Sequence, residues 1–152
     1  MKIIKLITLL LFITFPSKIY ALIEVDITRG NLNPLPIAVS ALYSDKETTE
    51  TLKKELKINQ IGEEISIVIE NNLKATGLFN PLEKKAFLQK PDVAHLKPRF
   101  EDWSLIKAQA LITGKVEFKD DKVRVEFRLW DVLAAREMLA LAFTTVPNNW
   151  RR

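Results

Sequence analysis

The clearest pattern in the chain is a pair of alternating stretches toward its carboxyl end. Val116 and Phe118 alternate with Lys115, Glu117 and Lys119, and Val123, Val125, Phe127 and Leu129 alternate with Lys122, Arg124, Glu126 and Arg128. Alternation with a period of two marks a half-buried strand. If Asp120-Asp121 forms the loop of a hairpin, Phe118 faces Val123 and Val116 faces Val125. Both apolar sets then share one face and the charges share the other, which predicts an antiparallel pair covered on one side only. Aspartate is only a fair choice where a tight turn needs positive φ, so a longer loop stays open as an alternative. The first strand is predicted over Ala108 to Phe118. A third strand is predicted over Met138 to Val146, after a turn around Val132 to Arg136.

The period changes upstream. Ile58, Ile61, Ile65, Val68, Ile69 and Leu73 recur three and four residues apart, with Glu63, Glu64, Glu70 and Lys74 elsewhere around the wheel. That spacing predicts a helix with one apolar stripe against a sheet. Asn59 is a candidate cap, Glu63 suits the positive end of the helix dipole, and Gly77 suits the left-handed position beyond the last turn. Leu78 to Leu82 is a short extended piece, Pro91 and Pro98 bracket a loop, and Glu101 to Lys107 forms a short helix. Leu22 to Ile27 is extended, with turn chemistry at Thr28 to Asn31. The prolines of Asn33-Pro34-Leu35-Pro36 make a stiff connector, and Ile37 to Tyr43 is a buried strand. Ser44 to Lys57, charged and polar, is a loop with some helical turns. The order predicts an α+β fold: a mixed β-sheet of about five strands with two helices packed on one face, preceded by a cleavable signal peptide.

That leader is residues 1–21. Lys2 and Lys5 make a positive start, and Leu6 to Phe15 is apolar apart from Thr8 and Thr14. A membrane-spanning helix needs about 20 apolar residues, a signal core roughly 7–15. The run is too short to be an anchor. Cleavage is expected between Ala21 and Leu22, which makes residues 22–152 one mature domain, large enough to bury a core without staples. The chain has no cysteine. Lipid attachment through cysteine, a disulfide framework, cysteine-bound zinc and thiol catalysis are therefore all excluded.

Removing the leader also changes the charge. The formal +4 of the whole chain includes Lys2, Lys5 and Lys18, and without them the domain is close to neutral despite a sequence pI near 9.3. A neutral surface with interspersed signs gives no reason to expect nucleic acid or anionic lipid as a partner. Catalytic candidates are few. The single histidine, His95, is expected to be a solvated loop residue, with no metal-ligand or nucleophile spacing around it. The four glycines are dispersed and form no phosphate-binding loop. Glu63-Glu64 and Asp120-Asp121 are explained by a helix start and a hairpin tip. Trp103, Trp130 and Trp150 are expected to pack against neighbouring elements. No enzyme, metal, cofactor or small-molecule substrate is expected.

Several segments, taken in order, resemble the amino-terminal domain of the TolB family. They are Thr28-Arg29-Gly30, Pro36 to Val39, the run Leu73 to Leu82, Trp103 followed by Ala110 to Val116, and Phe127 to Val132. The resemblance spans the whole mature chain and implies a periplasmic protein-interaction domain in the Tol-Pal cell-envelope system. It also implies a role for the first mature residues, Leu22, Ile23, Glu24, Val25, Asp26 and Ile27, as a strand that engages TolA. In that family the domain is followed by a helix and a β-propeller that binds Pal. Here the sequence stops at Asn149-Trp150-Arg151-Arg152, so the expectation is a truncated or split-gene fragment that does not bind Pal. Trp150 and the end of the last strand are expected to expose a surface prone to pairing. The rival expectation is a free-standing periplasmic ligand- or lipid-binding module, which requires an apolar pocket of several hundred Å³, as small-molecule sites generally have.

Overall fold

The predicted hairpin forms in the predicted register. In a computed structural model that describes residues 33–151, strands Ala110–Lys119 (β4) and Lys122–Asp131 (β5) pair antiparallel with Phe118 opposite Val123 and Val116 opposite Val125. The turn is the tight one: Asp120 and Asp121 both take positive φ, at 52° and 56°. Strand Arg136–Thr145 (β6) adds antiparallel to β5. On the other side of β4 the pairing is parallel, first to Leu35–Val39 (β1), which pairs in turn with Phe79–Pro81 (β3), and then to Tyr43–Ser44 (β2). The result is a six-stranded mixed sheet in the order β3-β1-β4-β5-β6, with β2 beside the far half of β4.

One strand differs from the sequence reading. Ile37 to Tyr43 is not continuous: β1 starts earlier, at Leu35, stops at Val39, and the chain re-enters the sheet at Tyr43 as β2. The interruption has a cause in hydrogen bonding. Ser40 N–H still reaches Ile112 O at 2.9 Å, but Leu42 N–H turns away to Gly62 O at 3.1 Å, at the start of the main helix. Apolar runs cannot reveal such a switch of partner.

The segment expected to be a loop is a helix, Lys46–Leu56 (α1). Asp45 caps it by accepting the Thr48 N–H on Oδ1 at 2.7 Å, and Lys57 closes it at φ 57°. Its buried stripe is narrow. Thr48 and Leu52 are buried and Leu56 partly so, while charged side chains and two threonines fill the rest of the wheel. The main helix, Ile61–Ala75 (α2), starts at Gln60 and not at Asn59. The Gln60 carbonyl accepts from Glu63 N and Glu64 N, both at 3.1 Å, so a backbone oxygen does what a side-chain cap was expected to do. Gly77 takes φ 71°, as its place after the helix requires.

α1 and α2 lie on one face of the sheet. There Ile37, Val39, Ala110, Ile112, Val116 and Val123 meet Leu52, Ile61, Ile65, Ile69 and Leu73. Alternate residues of the same strands, Ala38, Leu111 and Trp130, together with Val132 just beyond β5, form the core on the other face, and the chain between β3 and β4 covers them. That excursion carries two short helices, Pro91–Ala94 (α3) and Phe100–Leu105 (α4). It anchors through Trp103 and, more shallowly, Phe87 and Phe100. Among the described residues, no helix is long and apolar enough to cross a membrane.

Candidate interaction surface

The helices do not cover the whole apolar face. Strand register carries that face outward from Val125, Phe127 and Leu129 on β5 to Phe143, Leu141 and Leu139 on β6. Phe127 stacks on Phe143 with ring centroids 5.7 Å apart and planes at 20°. Beyond α2 nothing lies over them among the described residues: Leu139 is 44% exposed, Leu141 41% and Phe143 56%. Between α2 and this part of the sheet runs a groove of about 440 Å³, whose apolar walls are Ile65, Val68, Ile69, Phe127 and Phe143. Trp150 and Arg151 close one end of it. The Arg151 guanidinium stands 4.6 Å from the Trp150 ring centre and 3.4 Å from Glu64 Oε2, which ties the end of the chain to α2.

The opposite face of β4 and β5 is a ladder of paired charges. Lys115 Nζ donates to Glu117 Oε1 at 2.8 Å, Arg124 donates to Glu126 Oε1 at 2.7 Å, and Arg128 reaches Glu137 at 3.3 Å. The Arg124 hydrogen bond holds the Glu126 carboxyl below the usual carboxylate range. The Glu117 hydrogen bond holds the Lys115 ammonium above its usual range. Such pairs are well solvated and contribute little to stability. Their effect is to leave this face polar without a field of either sign.

A second ionic group ties the excursion to α2. Lys84 Nζ donates to Glu63 Oε1 at 2.7 Å and to the buried Ser66 Oγ at 2.6 Å, and lies 3.3 Å from Glu70 Oε1 without a well-directed hydrogen bond. Burial pushes the Glu70 carboxyl above the usual range, and Lys84 offsets this only in part. A carboxyl raised on folding binds its proton more tightly in the native state, so stability falls as pH rises from the unfolded carboxylate range through the raised value. Glu70→Gln is therefore expected to melt at the same or a higher temperature than the parent near pH 7, because Lys84 keeps Glu63 and Ser66. The gap should close below about pH 4, where the parent carboxyl is protonated too. Thermal melts of both proteins across that range check it, and a gap that widens toward acid would overturn it.

The residues singled out in the sequence fare differently. His95 is not a solvated loop residue. It ends α3, stacks on Tyr43 with ring centroids 4.3 Å apart, and places Nδ1 3.0 Å from Pro91 O. The two prolines hid a helical turn, because Pro91 serves as the first residue of α3, where a missing N–H costs nothing. Trp103 and Trp130 are buried as expected and each finds a polar partner: Trp103 Nε1 donates to Gln89 Oε1 at 2.8 Å, and Trp130 Nε1 to Thr113 Oγ1 at 2.9 Å. Trp150 packs on the α1–α2 side of the core. Leu22, Ile23, Glu24, Val25, Asp26 and Ile27, and the cleavage point between Ala21 and Leu22, lie outside the described residues. The exposed trio on β6 was not singled out, although its alternation with Ala140, Ala142 and Thr144 is visible once β6 is known to be an edge.

The amino-acid sequence matches the family described as the TolB amino-terminal domain over residues 23–138. A Tol-Pal system protein TolB from Pelagibacter ubique (strain HTCC1062) is 72% identical over 143 residues, covering 94% of this chain and 32% of that protein. The chain thus spans about a third of the length of this curated relative. Among solved structures, TolB from Acinetobacter baumannii superposes with a TM-score of 0.55 at 16% identity, over 78% of this chain and 25% of that one. The C-terminal domain of LpoB from Salmonella enterica superposes with a TM-score of 0.50 at 10% identity, over 77% of this chain and 86% of that one. At these identities the likeness to the two structures is one of fold.

Proposed function

The chain belongs to the TolB amino-terminal domain family, and from that membership we propose that it works as the amino-terminal contact module of a TolB component of the Tol-Pal system. On this reading it acts in the periplasm by binding other proteins and not by catalysis, in outer-membrane integrity, protein and bacteriocin uptake, and cell division. The observation that carries the reading is the 72% identity to a Tol-Pal system protein TolB along nearly the whole chain. The family match begins at residue 23, which supports cleavage between Ala21 and Leu22.

The first mature residues, Leu22 to Ile27, are then the TolA-binding strand. A short terminal strand can add to a partner's sheet edge, with backbone hydrogen bonds supplying affinity and alternate side chains supplying specificity. Ile23, Val25 and Ile27 form its apolar set. Immobilised mature chain is expected to capture the periplasmic part of TolA, and Val25→Lys to lose that capture while Glu24→Gln keeps it. Failure of the parent chain to retain TolA, in a run where a longer TolB succeeds, would remove the role from this chain. A ligand- or lipid-binding module is the second reading. The groove beside α2 favours it, since its volume of about 440 Å³ lies within the roughly 300–1,000 Å³ of small-molecule sites.

A further inference from the structure

The sheet ends at β6, and we propose that two copies of this chain join there, β6 against antiparallel β6, to make one continuous sheet. Natural proteins guard long edge strands with lysine, proline, bulges or short length. β6 is ten residues long and exposed along nearly all of it. Its charges, Arg136 and Glu137, sit at one end, and the eight residues from Met138 to Thr145 carry no charge and no proline. The register irregularity opposite Leu129/Trp130 falls at that same end and leaves Leu139 to Thr145 regular. Two such edges meet without like-charge repulsion.

The hydrogen-bonding groups of that edge follow from the turn at the far end of the hairpin. A two-residue turn with both φ values positive makes its flanking residues, Lys119 and Lys122, a hydrogen-bonded pair. Alternation along β5 then directs the backbone groups of Val125, Phe127 and Leu129 at β6, where they pair with Phe143, Leu141 and Leu139. The backbone groups of Ala140, Ala142 and Thr144 are left facing outward. No strand pairs with them among the described residues.

Side chains choose the register. With Leu141 opposite its own copy, Leu139 meets Phe143 of the second chain on the exposed apolar face, and Ala140 meets Ala142 on the other. A shift that places Ala140 on the axis sets Glu137 against Phe143. One that places Ala142 on the axis moves Leu139 opposite Thr145. The register centred on Leu141 alone keeps all three large apolar residues together. It is two-fold symmetric and therefore closes at two copies.

The absence of cysteine makes the geometry directly testable. Leu141→Cys would put two thiols across the axis in a non-hydrogen-bonded pair, with Cα atoms about 4.5 Å apart, inside the roughly 4.4–6.8 Å that a disulfide spans. Mild oxidation is expected to give a covalent dimer from this variant and not from Leu133→Cys, which places a thiol on the exposed β5–β6 turn. Sedimentation velocity of the purified, unsubstituted chain should show the mass rising with concentration from one copy to two and stopping there. Ala142→Lys, which puts a charge at the centre of the free edge, should hold the mass at one copy with an unchanged far-ultraviolet spectrum. A single-copy mass at every concentration, growth beyond two copies, or equal cross-linking of both cysteine variants would overturn the proposal.

Discussion

Trp103→Ala is expected to lower the unfolding free energy by about 3–5 kcal/mol, the range for removing a large buried aromatic. Trp103 is 1% exposed. Its ring meets Phe87 edge-on, with centroids 5.0 Å apart at 68°. Its Nε1–H donates to Gln89 Oε1, which also accepts the Arg99 N–H at 2.9 Å. The helix that carries it, α4, has six residues, far below the roughly 12–15 that hold a helix in isolation. The tryptophan therefore supports the helix and not the reverse. A domain has only about 5–15 kcal/mol in total, so the variant should approach the edge of folding. Trp103→Phe separates the two contributions: it keeps the aromatic contact but leaves Gln89 Oε1 with one donor, and should cost clearly less. Urea unfolding of both variants decides. A loss under about 1 kcal/mol for the alanine variant, smaller than any such truncation should give, would sink the claim.

Gly62→Ala is expected to destabilise by about 2 kcal/mol or more, the upper part of the range for forced overpacking. Helix propensity alone points the other way, since alanine exceeds glycine by about 1 kcal/mol in a helix interior. The close approach of the chain at this point decides between them. A Cβ at Gly62 would lie 1.8 Å from Leu42 O and 2.8 Å from Leu42 C. Both are backbone atoms, so no rotamer change relieves the clash. The segment cannot retreat without losing the Leu42 N–H bond to Gly62 O at 3.1 Å, the bond that diverts the chain between β1 and β2. A melt showing an unchanged or raised midpoint would mean that this approach is looser than described.

What could be read from the sequence was whatever a local period records. The β4–β5 register is legible because each strand alternates and the turn between them is two residues long, which leaves one way to align the apolar sets. The stripe on α2 is legible for the same reason at a period of 3.6. α1 was missed because its stripe amounts to Thr48, Leu52 and Leu56 among polar and charged residues. The Asp45 side-chain cap was the one local signal for its start, while Lys57 ends it through backbone conformation, which hydropathy does not record. The break within Ile37 to Tyr43 was invisible because both pieces are apolar and only a contact with Gly62, distant in sequence, separates them. The candidate surface was half legible. Trp150 and the end of the last strand were expected to expose surface, whereas the trio Leu139, Leu141 and Phe143 becomes notable only once β6 is placed at the rim of the sheet. Family membership came from the order of segments along the chain, no one of which is decisive alone.

The placement of β1 has a consequence for the order in which the sheet can assemble. β1 lies between β3 and β4, and its residues Ile37 to Val39 pair with Ala110 to Ile112. The centre of the sheet thus lies early in the sequence and its principal neighbour far along it. Without β4, the buried strand β1 has only the three residues of β3 to pair with. The β4–β5–β6 meander, by contrast, closes through short loops and can form as soon as it is complete, as local pairings do faster than distant ones. The meander is therefore expected to form before β1 completes the sheet, so substitutions in the β4–β5 pairing should slow folding more than substitutions in the β1–β3 pairing.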